Sequence, residues 1–252
     1  MNKKLLLAIL FAVAVALMLG YFSQPYIKAD DSSANILPII PGQALKPQTP
    51  DKIYLLLPAV DDAGRGRLAE LLVEATPGSG KASIAFQEDT PLFSPDTQES
   101  IKIAISLGKL LATRDASKID LKYTMNAPSA IVEGKSAGAA VAVATVALLQ
   151  GITLRSDALI TGGIDEQGNI MRVGGILEKA RAVKNAGFRK FVVPRGEKNA
   201  VVPHQVCTDQ PVAGGVIHRC QMASGSVDIE AEVGIEIAEV DNVQQALQEM
   251  RA

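Results

Sequence analysis

From Ala137 to Leu149 the chain carries no charged residue, and Gly151, just beyond Gln150, supplies the left-handed stop that helix ends favour. A helix of that composition has no face to turn toward water, so the rest of the chain must cover it on every side. At 252 residues with 48% hydrophobic content, the chain has enough apolar material to do so, as one large or two small domains.

The residues ahead of this run are Val132-Glu133-Gly134-Lys135-Ser136-Ala137-Gly138. Ser136 therefore stands at or beside the N-cap, among unpaired N–H groups and at the positive end of the helix dipole, a place that suits an anion. The ordinary role of such a serine is to cap the helix. A nucleophilic role requires a base, and lysine can serve if burial keeps it neutral. Lys179 fits that need: on the helix expected from Ile176 it shares a face with Gly175, Ile176 and Val183. A lysine among apolar residues more commonly snorkels to the surface.

Other chemistries find less support. A net charge of −2, 4% aromatics and no Trp argue against nucleic acid. Cys207 and Cys220 lack CxxC spacing, so His204 and His218 nearby make a weak metal set, against a disulfide or two free thiols. Gly78-Ser79-Gly80-Lys81 invites comparison with a phosphate-binding loop, but Ala75 and Ala82 occupy positions where that pattern needs Gly and Ser or Thr; a turn is expected instead. No dinucleotide fingerprint follows, and no cofactor is implied.

In chain order, Leu5 to Ile27 is uncharged behind Lys3 and Lys4, which predicts a transmembrane anchor or signal segment over 1–28 with the N-terminus cytoplasmic and the body outside; the poor cleavage site Ile27-Lys28-Ala29 favours an uncleaved anchor. Residues 29–50, with Pro38, Pro41, Pro47 and Pro50, read as a linker, and 51–252 as the folded domain. Strands are expected at 52–57, 67–75 and 81–87, the last two as a hairpin, and at 120–125, 157–161, 170–173 and 191–194. Helices are expected from Pro95 to Ala112, then over the buried run, 176–186 and 243–250. Residues 197–225 look irregular, with a hairpin-like insert near 203–225 holding both cysteines; 227–240 suggests two short strands broken at Gly234. The fold class is α/β, helices packed on mixed sheets.

Taken together, Glu133-Gly134-Lys135-Ser136-Ala137-Gly138, Thr161-Gly162-Gly163-Ile164, Val173-Gly174-Gly175-Ile176-Leu177-Glu178-Lys179 and Phe191-Val192-Val193-Pro194 resemble, in order and spacing, the proteolytic domain of the Lon family, over roughly residues 65 to 250. The resemblance implies a Ser-Lys peptidase with Ser136 as nucleophile and Lys179 as general base, Thr161 helping to hold the lysine and Glu133 orienting it. It also implies a ring-shaped homo-oligomer. Gly163 stands where the family usually has Glu, and residues 1–64 hold no ring ATPase, so an ATP-independent endopeptidase acting on peptides or loosely folded proteins is expected. As rival bases, Lys135 projects away from the serine, and His204 and His218 lie in the insert; Ser129 is a poorer nucleophile, without flanking glycines. A membrane-tethered scaffold without turnover and a small-molecule acyl hydrolase are the competing functions.

Overall fold

A computed structural model describes residues 48–85, 92–127, 131–213 and 215–252. The segment expected to be an anchor, and the linker up to residue 47, lie outside the described residues; among the described residues no helix is long and apolar enough to cross a membrane. Gln48, assigned by sequence to the linker, is already held by the domain: its side-chain amide donates to Leu154 O at 3.0 Å and accepts from Leu154 N at 3.1 Å.

Strand β1 (Lys52–Val60) pairs antiparallel with β2 (Gly66–Pro77), and β2 with β5 (Ile119–Asn126). The expected hairpin between β2 and β3 (Ala82–Ala85) does not form. β3 reverses direction but stands one strand away, parallel to β5, giving the order β1-β2-β5-β3. The inner slot goes to the strand with more to bury: β5 hides Leu121, Tyr123 and Met125, whereas β3 is at most half-buried. The turn at Gly78–Lys81 is closed by Asp120 of β5, whose carboxylate accepts from the N–H groups of Ser79 and Lys81 at 2.7 and 2.8 Å.

Helix α1 (Pro95–Leu110) is capped by Ser94. Just before it, β4 (Leu92–Phe93) lies parallel to β6 (Ile131–Val132), which follows β5 in the chain and leads to α2 (Gly138–Gln150), in which every residue from Gly138 to Leu149 is buried. Gly108 lets α1 approach α2: a Cβ there would meet Thr145 Cγ2 at 2.4 Å. Thr145 donates to Val141 O at 2.7 Å, which leaves its oxygen to accept from Tyr123 at 2.9 Å, so the dry core holds no orphaned hydroxyl.

A second sheet, all parallel, has the order β13-β10-β7, from β7 (Ala158–Ile160), β10 (Lys190–Pro194) and β13 (Glu236–Val240). Strands alternate their faces, so β1, β7 and β10 feed two cores. Ile53, Leu55, Ile160 and Val192 pack around α2, while Tyr54, Leu56, Leu159 and Phe191 pack around α3 (Ile176–Asn185). The short antiparallel strands β8 (Gly163–Ile164) and β9 (Ile170–Met171) form a separate two-stranded ladder.

The segment read as irregular, with a hairpin-like insert near 203–225, is a long antiparallel hairpin arm, β11 (Asn199–Val212) and β12 (Gly215–Asp228). Pro203 and Pro211 obscured the length of its strands, since proline is a poor strand signal; a two-stranded arm tolerates proline because each strand has a free edge. Cys207 and Cys220 face each other in its register with Cα atoms 4.0 Å apart and are bridged. The stretch 227–240 is not two strands: Asp228 caps a short helix, α4 (Ile229–Val233), which ends at Gly234 before β13. Its β-branched residues suggested a strand, but Ile229 and Val233 lie one helical turn apart. Helix α5 (Val243–Met250) closes the chain at its expected bounds.

Candidate active site

The loop that carries Ser136 is held by carbonyl groups. Thr97 and Ser100, both buried on α1, donate from their hydroxyls to Gly134 O at 2.9 Å and Lys135 O at 3.0 Å; Thr97 also reaches Val132 O at 3.2 Å. Across the loop, Gly162 N donates to Ser136 O at 3.1 Å and Thr161 Oγ1 to the same oxygen at 3.4 Å. Glycine is required at close quarters here, because a Cβ on Gly138 would fall 2.4 Å from Ser100 Oγ. Ser136 does not cap the helix: the cap is Ala137, with no side-chain bond, and Ser136 is half-buried one residue ahead. Among the described residues nothing bonds its hydroxyl, so the side chain is available for chemistry.

Lys179 lies one turn into α3, 4% exposed, with its ammonium 3.4 Å from Thr161 Oγ1. Thr161 thus bridges Lys179 to the Ser136 backbone, and the structure brings these three residues together. Burial lowers the Lys179 pKa to about 8, against the opposing pull of the Glu197 carboxylate. Lys190, also buried, is the useful contrast. Burial acts on it too, but Glu236 and Glu249 at 2.8 and 2.6 Å reverse the effect and hold its pKa above the ordinary value. Among the described residues no carboxylate sits within hydrogen-bonding reach of Lys179, so burial keeps its pKa lowered where that of Lys190 is raised.

Glu133 is exposed and makes no hydrogen bond among the described residues, so it is not brought to Lys179. The acid that reaches the lysine's field is Glu197, for which the sequence offered no motif. Thr97 and Ser100 were equally unmarked, although their spacing of three on a helix seen to be amphipathic could have flagged a polar line on its buried side. Lys135 is exposed and paired with Glu99 at 3.4 Å. His218 pairs with Asp209 on the arm, and Ser129 lies outside the described residues. Among the described residues no cluster of His, Cys, Asp or Glu is arranged to hold a metal.

The Lon protease (S16) C-terminal proteolytic domain matches residues 69–213. The chain is 34% identical over 145 residues to the Lon protease of Anaeromyxobacter dehalogenans, covering 54% of this chain and 17% of that protein. It is 38% identical over 71 residues to the archaeal Lon protease of Methanocaldococcus jannaschii, 28% of this chain and 11% of that one. The chain therefore spans less than a fifth of these relatives' length. With more than half its residues inside the family's pattern, and the Ser136 loop and the Lys179 helix within that stretch, the chain belongs to the family of the Lon protease C-terminal proteolytic domain.

Proposed function

We propose that this domain is an ATP-independent serine endopeptidase in which Lys179 takes the proton from Ser136. The observation that carries the reading is a buried lysine with a lowered pKa, joined through Thr161 to the backbone of a serine whose hydroxyl has no structural duty. Ser136 attacks the peptide carbonyl while neutral Lys179 accepts its proton, and the ammonium then returns that proton to the leaving amine. Of the amides at the start of α2, Gly138 N is bonded to Lys135 O and Ala139 N to Gly162 O. The N–H groups of Ser136 and Ala137, unpaired among the described residues, receive the oxyanion.

The Gly78–Lys81 turn is not a phosphate site, since the Ser79 and Lys81 amides are occupied by the Asp120 carboxylate. Substrates are then peptides or loosely folded chains. The apolar segment at 5–27 anchors the domain to a membrane with its body outside the cytoplasm, where oxidising conditions favour the Cys207–Cys220 bridge. The domain works as a homo-oligomeric ring, as the family resemblance implies.

The test is hydrolysis of casein and of short fluorogenic peptides by wild type, Ser136→Ala and Lys179→Ala. Each variant should lose at least about 100-fold in kcat/KM with its fold retained, because general-base catalysis contributes at least that factor. Activity within tenfold of wild type in Lys179→Ala would remove the lysine from the mechanism. Ester turnover without peptide turnover would favour an acyl hydrolase.

A further inference from the structure

Glu197 is a buried carboxylate that the dyad mechanism leaves unused. The loop bearing it turns inward at Gly196, where φ is 82°, and is pinned from behind: the N–H groups of Gly196 and Lys198 donate to Glu239 Oε1 at 2.8 and 2.9 Å. The Glu197 side chain, 7% exposed, is thereby fixed in the wall of a cleft of about 210 Å³ between the start of α3 and the foot of the arm.

Its partners do not fill it. A carboxylate offers about four acceptor positions. Among the described residues both oxygens share one backbone donor, Val173 N, at 3.2 and 3.3 Å, and are ion-paired with Arg172 Nε at 3.6 Å, on a side chain that is 71% exposed and also donates to Gly196 O. Burial raises the Glu197 pKa, and Val173, Arg172 and Lys179 pull it back only in part. The cleft beside it is several times the ~30 Å³ share of a water. Its lining is mostly polar, with Ile176 and Val202 as an aliphatic patch and Glu178 as a second acid. A polar cleft with an aliphatic patch and a buried acid matches a long side chain ending in a cation.

On the peptidase reading above, we propose that this cleft is a substrate subsite for a lysine or arginine side chain of the peptide, with Glu197 as its specificity-determining carboxylate. The site communicates with the base. Gly175 and Ile176 wall the cleft and begin the helix that carries Lys179, and the Glu197 charge favours the protonated lysine. A substrate cation that neutralises Glu197 relieves that hold, so occupancy of the cleft favours the neutral, reactive form of Lys179.

The test uses matched peptides in which lysine replaces norleucine at one position at a time. In wild type, one position should give a lysine-to-norleucine ratio of kcat/KM of about tenfold or more, the scale of a charge-assisted hydrogen bond. In Glu197→Gln, which keeps an acceptor for Val173 N–H but not the charge, that ratio should fall to about one. Arg172→Ala, which removes the resident guanidinium, should raise it. The acid limb of kcat, which reports the bound enzyme, should lie at lower pH for the lysine peptide. A wild-type ratio near one at every position, or a ratio undiminished in Glu197→Gln, overturns the subsite and leaves the peptidase standing. Binding of the same peptides to Ser136→Ala, followed by fluorescence anisotropy, separates the two claims: selective binding without wild-type turnover keeps the subsite and overturns the peptidase.

Discussion

Removing the Lys179 ammonium should strengthen the fold. Its pKa falls from an ordinary 10.5 to about 8 on folding, so between those values the unfolded chain binds more protons, and stability rises with pH across the window. The penalty is fully present below pH 8 and gone above 10.5. Lys179→Met, of similar volume and uncharged, should therefore gain up to about 3 kcal/mol at pH 7, and the gain should vanish near pH 11. Urea denaturation at the two pH values checks this, and an unchanged or lowered stability at pH 7 would mean the ammonium is better solvated than its burial indicates. Ser136 and Lys179, which the structure joins through Thr161, stood out in the sequence because each sits in a short glycine-rich motif of fixed spacing. Glu197 was not, since its burial comes from Gly196 and from Glu239, which is distant in sequence. Nor could sequence tell that Glu133 stays in solvent.

At the scale of elements, the approach of α1 to α2 rests on one missing side chain. Gly108→Ala would place a methyl 2.4 Å from Thr145 Cγ2, and should cost about 1–3 kcal/mol by overpacking. Because α1 carries Thr97 and Ser100, the same shift should lower kcat as well as the melting temperature. A fully active Gly108→Ala protein would show that the serine loop does not depend on α1. The buried helix α2, α3 and α5 were readable from their apolar runs and stops. Strand order was not, because which strand lies beside β2 is settled by competition for a buried slot between segments about forty residues apart. The hairpin character of the arm was legible but the length of its strands was obscured by its prolines, and α4 was hidden by its β-branched residues.

The arm is also a separable unit of the molecule. Nearly all of it is exposed, and the bridge closes a loop with a sequence separation of 13, worth about 3 kcal/mol in the chain-entropy account. Reducing it should leave the melting temperature of the body nearly unmoved while amides in the arm exchange about 100-fold faster. Hydrogen exchange with and without reductant measures both; a large fall in melting temperature would instead tie the arm to the core. The proposed topology makes a parallel claim for the whole chain, that a reporter fused after Ala252 works only outside the cytoplasm. Protection of the C-terminus from protease added to intact spheroplasts would contradict it.

The most direct measurement of the central claim is the rate at which a serine-directed phosphonate modifies Ser136, followed from pH 6 to pH 10. The account predicts a rate that rises with pH, half-maximal at about pH 8 as Lys179 loses its proton, and that falls at least about 100-fold in Lys179→Ala. A rate equal in wild type and Lys179→Ala, or a midpoint near 6.5 that would point to histidine, would contradict it.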